Sequence, residues 1–259
     1  MANLEGKTAI VTGSSRGIGR AIAVRLARDG ARVVVCARTS SDLADVVREI
    51  QSASGAAAAA ALDLRDPATP SRLVDFAVST FGRLDIVVNN AGATRRGLFV
   101  QLRDEDWEDS FALKFFGAVR VTRSAWPHLQ KSKGSVVFIS GAGGRTPGAE
   151  FAAGGAVNAG LLSITKALAE TGIRDGVQVN SVNPGAVRTD RLKTRLAATM
   201  QEKGIDLAAA ERQFVEASGV TKIGEPQEIA ALVSFVVGPE GRFLHGSLID
   251  MDGGATKTI

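Results

Sequence analysis

The chain has 259 residues, 45% of them apolar, enough for one large α/β domain or two small ones. A net charge of +4 with pI near 9.5 comes without any block of like charges, which argues against a nucleic-acid protein and leaves a mild preference for a phosphorylated ligand. The single cysteine, Cys36, excludes an intrachain disulfide and fits a reducing, cytoplasmic setting. The start, Met-Ala-Asn-Leu-Glu-Gly-Lys, does not read as a signal peptide, and no run of 18 apolar residues predicts a membrane span.

The first element is a short apolar strand, Thr8–Thr12, that runs into a glycine-rich turn and a helix over Gly17–Asp29. Gly13 permits the tight exit from the strand, Gly17 lets backbone approach a diphosphate, and Gly19 is expected to let the helix pack on the sheet. The free N–H groups at the helix start favour an anion. Further strands are expected at Arg32–Ala37, Ala57–Leu62, Leu84–Asn89, Ser135–Ser140, Gln178–Val182 and Ser247–Asp250. Helical patterns fill the intervals at Ser41–Ser54, Pro67–Phe81, Asp104–Lys131, Phe151–Arg174 and Pro226–Val237. Short apolar strands that do not alternate imply burial on both faces. With crossover helices between them, that predicts one doubly wound (Rossmann) α/β domain over 1–259, a seven-stranded parallel sheet with helices on both faces. The alanine run Ala56–Ala61 is read as a strand packed closely under helices. Residues at about 188–224 fall outside this rhythm and read as a lid at the ligand end of the sheet.

Four motifs in this order resemble those of the short-chain dehydrogenase/reductases, and the nearest resemblance is to the bacterial ketoacyl reductase-like members. They are Thr12-Gly-Ser-Ser-Arg-Gly-Ile-Gly19, Asn89-Asn-Ala-Gly92, Asn183-Pro-Gly-Ala-Val-Arg-Thr189 and Asp250-Met-Asp-Gly-Gly254. The resemblance implies an NAD(P) site. Gly13, Ser14, Ser15, Arg16 and Ile18 would hold phosphates, and Asp63 and Leu64 would lie along adenine. Asn90 and Gly92 would border the ribose, with Pro184, Gly185, Val187 and Thr189 at the nicotinamide end. It also implies a small-molecule substrate and a homotetramer or homodimer. The second strand ends in Cys36-Ala-Arg38, with no acid to meet a ribose 2′-hydroxyl. Arg38, with Arg16 as a second cation, therefore favours NADP over NAD.

The family's chemistry uses a Ser, a Tyr and a Lys four residues after the Tyr; this chain has no tyrosine. Counting back from Ala159-Gly-Leu-Leu-Ser-Ile-Thr-Lys166 puts Asn158 at the Lys position, Gly154 at the Tyr position and Gly141 at the Ser position. A family Asn on an earlier helix corresponds to Lys114, in the apolar stretch Phe111–Val119. Lys and Asn are thus exchanged. A lysine there is expected to be depressed in pKa and, with Asn158, to replace the missing pair as proton donor or carbonyl polariser. The competing reading is a lysine that snorkels to water or binds a structural carbonyl. Gly141, Gly143, Gly144, Gly154 and Gly155 would leave room for a bulkier substrate. Arg95, Arg96 and Arg145 could read an anionic one. His128 and His245 fit no metal-ligand pattern, and no metal is expected. These features point to an NADP-dependent oxidoreductase with an unusual proton relay; an NADP-binding sensor or regulatory protein, and a lyase or isomerase on the same fold, remain open.

Overall fold

A computed structural model describes residues 3–258. Its sheet has seven strands, all parallel: β1 (Thr8–Thr12), β2 (Arg32–Ala37), β3 (Ala56–Ala61), β4 (Ile86–Asn89), β5 (Ser135–Ile139), β6 (Gln178–Pro184) and β7 (Leu248–Met251). Their spatial order is β3-β2-β1-β4-β5-β6-β7. The order reverses between β1 and β4, where Ile10 pairs with Val87. In an open α/β sheet the crevice at the carboxyl ends of such strands is where ligands bind. The doubly wound α/β reading therefore holds.

The layers follow from the strand period. Along β1, Ala9 and Val11 face a core formed with α1 (Gly17–Arg28), α2 (Ser40–Ser52) and α9 (Pro226–Val237). Ile10 faces the opposite core, formed with α3 (Thr69–Phe81), α5 (Gly117–Ser132) and α6 (Ala152–Asp175). Both faces of the sheet are covered, so β1, β4, β5 and β6 are buried throughout; their apolar side chains enter these cores, while buried polar ones are hydrogen-bonded, as where the Gln178 amide donates to the carbonyls of Val236, Gly241 and Leu244. Residues Ala149–Asp175 are long and apolar enough to cross a membrane by length and composition, contrary to expectation. Here they pack instead, with Val157 and Leu161 buried and α6 lying along β6.

Some expectations need correction. The alanine strand β3 forms, but at the sheet edge, with Ala60 its only buried residue. Methyl groups suit that place because α2 lies close beside it. The strand expected from Leu84 starts at Ile86. The helix expected from Pro67 starts at Thr69, and the strand expected to stop at Val182 runs on to Pro184. The helix expected over Asp104–Lys131 is α4 (Asp104–Ser110), a π-helical segment (Phe111–Phe116) and α5. Residues 188–224 fold into α7 (Asp190–Lys203) and α8 (Leu207–Ser218) around their own cluster of Leu192, Leu196, Ala210 and Ile223. Arg188 anchors this pair through Glu211 and through Glu225 at 2.9 Å, and both partners hold its guanidinium above its ordinary pKa.

Cys36 is wholly buried in β2, and burial, with Asp63 nearby, pushes its thiol up to about 12. The folded protein should therefore resist iodoacetamide at pH 8 and react only once unfolded. Intact-mass measurement checks this, and a carbamidomethyl adduct on native protein would contradict it.

Candidate active site

The carboxyl ends of β1 and β4 are fastened by reciprocal hydrogen bonds. The Thr12 hydroxyl accepts the N–H groups of Asn90 and Ala91, each at 3.0 Å. The Asn90 amide nitrogen donates to the carbonyls of Thr12 (2.9 Å) and Gly13 (3.0 Å). The glycines follow from this closeness. A Cβ on Gly13 would lie 2.7 Å from Ala91 Cα, and one on Gly19 only 2.3 Å from the Gly13 carbonyl oxygen. Gly19 thus makes room for the turn itself and the Asn90 amide, not for the sheet as expected. Gly17, at φ +55°, brings the start of α1 against Thr189.

The cofactor residues expected from the sequence all lie at this end of the sheet, but their side chains differ in freedom. The Ser14 hydroxyl is tied to the backbone of Cys36, accepting its N–H at 2.9 Å, and Ser14 is fully buried. The Asn90 amide nitrogen is committed to the turn, and the Leu64 side chain lies in the core. These three can offer backbone, or in Asn90 the remaining amide oxygen. Asp63 accepts the N–H of Arg65, and Pro184 and Val187 are buried. Ser15, Gly92, Gly185 and Thr189 are partly accessible, while Arg16 and Arg38 are exposed. Helix α1 has neither a side-chain N-cap bond nor an acidic residue in its first turn. Its start therefore suits an outside anion. Among the described residues Arg38 has no carboxylate within salt-bridge distance, and Arg16 has only Asp190, at 3.9 Å. This donor set fits a phosphorylated dinucleotide.

Lys114 projects from the π-helical segment and is held at both sides. Its Nζ donates to the Ser140 carbonyl and to Asn158 Oδ1, each at 2.6 Å. The Asn158 backbone is tied to the same segment, its main-chain carbonyl accepting the Ser140 hydroxyl at 3.0 Å. The lysine stem lies against Gly92, where a Cβ would come within 2.8 Å of Cδ. Burial, reinforced by the charge of Arg191, lowers the Lys114 pKa to about 7. An ammonium has three hydrogens, and two are committed. The third is left for a ligand. The lysine thus binds a structural carbonyl, as the competing reading expected, and its third hydrogen has no partner among the described residues.

The glycine-lined space is not empty, which corrects the expected room for a bulkier substrate. The Phe151 ring fills it: a Cβ on Gly154 would meet that ring at 2.2 Å, and one on Gly143 at 2.8 Å. Pro147 closes on Gly155 and Asn158 on Gly144. At Gly141, φ is +142° and the Asn158 amide lies 3.0 Å from any Cβ, so the glycine is needed there for conformation and space. Arg145 is not free either, because its Nε lies 3.1 Å from Asp250 Oδ2. The Arg96 guanidinium, by contrast, stacks over Phe151 at 4.5 Å. Sequence reasoning missed Arg191, which donates to the Gly92 carbonyl at 3.2 Å. The available signal was Arg191 and Arg195 spaced i, i+4 with like charge, an unfavourable pair on a helix unless something else uses it.

A family model described as short chain dehydrogenase matches residues 7–212. The chain belongs to the short-chain dehydrogenase family. It is 36% identical, over 99% of its length and 94% of the relative's, to an uncharacterized oxidoreductase of Mycobacterium tuberculosis (strain CDC 1551 / Oshkosh). It is 36% identical to the 3-oxoacyl-[acyl-carrier-protein] reductase of Escherichia coli (strain K12), covering 97% of this chain and 98% of that one. Among solved structures, the L-sorbose reductase of Gluconobacter frateurii, complexed with NADPH and L-sorbose, superposes with a TM-score of 0.95 at 28% identity, covering 100% of this chain and 99% of that one.

In this short-chain dehydrogenase the Lys114 shift has a sign that stability can read. The folded pKa of about 7 lies below the ordinary 10.5, so between those values the unfolded chain binds the extra proton and stability rises with pH. Below about 7 both states are protonated and the folded chain carries the full cost of the buried charge. Wild type should therefore gain stability relative to Lys114→Met as pH is raised from 7 to 10 in urea titrations. A constant difference would mean that the amine is not depressed.

Proposed function

We propose that this chain is an NADP-dependent oxidoreductase acting on a carbonyl or alcohol substrate, with Lys114 as its proton donor and acceptor. The observation that carries this reading is the Lys114 amine, held at 2.6 Å by both Ser140 and Asn158 in a setting that brings its pKa to about 7. Ser15, Arg16 and Ile18 would hold the diphosphate at the start of α1, with Arg38 on the 2′-phosphate. Asp63 and the Leu64 backbone would border adenine, and Gly92, Gly185 and Thr189 the nicotinamide half. Bound NADP(H) supplies or accepts the hydride.

Lys114 does the rest of the chemistry. In reduction the ammonium gives its uncommitted hydrogen to the substrate oxygen, and the resulting amine keeps both hydrogen bonds to Ser140 and Asn158. In oxidation the amine lone pair takes the hydroxyl proton. Asn158 fixes the direction of Nζ through one oxygen acceptor and is braced by Ser140. A group poised near neutrality suits proton transfer in either direction. The absence of tyrosine favours a second reading, a non-catalytic NADP-binding sensor or regulatory protein.

Lys114→Met should lower kcat by about 100-fold or more, the usual contribution of a positioned acid or base, while leaving the NADPH dissociation constant nearly unchanged. The wild-type reduction rate should fall as pH rises through about 7, and the oxidation rate should rise over the same interval. Unchanged turnover in the variant would end the catalytic role. Nucleotide binding without turnover on any carbonyl or alcohol would favour the sensor reading. NADPH should also bind more tightly than NADH, with the preference narrowed by Arg38→Gln; fluorescence titration of both nucleotides checks this.

A further inference from the structure

Two arginines are linked to the lysine site by different routes. On one side Arg191, from α7, donates to the Gly92 carbonyl at 3.2 Å, and Gly92 abuts the lysine stem. On the other, Arg96 stacks on Phe151 at 4.5 Å. That ring packs against Gly143, where a Cβ would lie 3.9 Å from the Asn158 amide that holds Lys114. Each guanidinium is thus positioned by the same residues that build the lysine site.

Neither arginine has a carboxylate within salt-bridge distance among the described residues, and nor does Arg195, one turn beyond Arg191. Their neighbours behave differently. Arg145 has Asp250, Arg188 has Glu211 and Glu225, and Arg16 has Asp190. Even on α7 the acid Asp190 lies near Arg16 and Lys193, not Arg191. Burial, with Arg195 and Arg191 adding to it, lowers the Arg96 pKa, while Glu150 opposes weakly. Gathering like charges is unfavourable even where, as here, the side chains are exposed. A bound anion would relieve it, and guanidinium pairs suit planar or tetrahedral oxyanions.

We propose that Arg96 and Arg191 form an oxyanion subsite beside Lys114, so that the substrate is a carbonyl or alcohol compound bearing a carboxylate or a phosphate. The chemistry at the carbonyl rests on the oxidoreductase reading; the binding does not. The Arg191 charge reaches both Lys114 and Arg96, so an anionic group held by the two arginines would anchor the end of the molecule that does not react. Arg191 then has two effects: it attracts the anion and, through its charge, keeps Lys114 ready to release its proton.

The test is calorimetric titration of the full chain, with and without NADP+, against two matched pairs: acetoacetate with methyl acetoacetate, and dihydroxyacetone phosphate with dihydroxyacetone. One anion should bind at least about tenfold more tightly than its neutral partner, the scale of a charge-assisted hydrogen bond. Which pair shows the difference distinguishes carboxylate from phosphate. Arg96→Gln and Arg191→Gln should each abolish the preference, and Arg96→Lys and Arg191→Lys should restore part of it. Equal binding of charged and neutral partners, no binding of either anion, or glutamine variants that weaken NADPH instead of the anion would each overturn the proposal. Failure of NADP+ to bind, with the anion preference intact, would strike the oxidoreductase reading alone.

Discussion

The exchange of hydrogen bonds between Thr12 and Asn90 is the constraint on which the site depends. It joins the exits of β1 and β4 where the strand order turns back, and four bonds share two short side chains. The joint brings Gly13 against Ala91 so closely that no side chain is tolerated there. One consequence is that α1 starts beside the crevice with its N–H groups facing outward. Another is that the segment carrying Gly92 lies across the stem of Lys114. Each buried bond contributes about 1 kcal/mol, but leaving one of these groups unsatisfied costs more than forming it yields. The joint therefore acts as a unit.

Upon this frame the lysine arrangement is a balance of opposing effects. Burial of an ammonium is unfavourable by several kcal/mol if nothing accompanies it. Among the described residues no carboxylate pairs with Lys114; its two acceptors are a neutral carbonyl and a neutral amide. Neutral acceptors satisfy the hydrogens without restoring the ordinary pKa, and Arg191 pushes the same way. A carboxylate in place of Asn158 would have held the amine charged well above pH 7. The amide at that position supplies geometry without a counter-charge.

The sheet was legible because its strands are short, apolar and separated by helical patterns; both faces being buried is what removes alternation. The joining of Lys114 and Asn158 was legible through the family resemblance, which aligns the two with an exchanged Asn and Lys. What was hidden depends on neighbours distant in sequence. The glycines around 141–155 read as empty volume, and nothing local revealed that Phe151 would turn back into it. Arg145 and Arg96 looked alike until Asp250 was seen beside one and an aromatic ring beneath the other. Arg191 lay in a charged helix, where only its i, i+4 spacing from Arg195 set it apart from a solvated surface. The alanine run gave the strand but not its place, because edge and centre are set by pairing order and not by side-chain type.

The widened helical segment Phe111–Phe116 has a consequence for how this site tolerates change in length. It lies between α4 and α5 without interrupting the helix, and Lys114 sits within it. Its i→i+5 bonding holds one more residue per turn than the flanking α-helices, so removing one residue before Lys114 would let the stretch revert to regular α-helix and would turn the residues within it, leaving α4 and α5 in place. The amine would swing off its two acceptors though every one of those residues remained in the chain. The direction of the lysine is thus a property of local residue count, and insertions or deletions there would be more damaging than most substitutions.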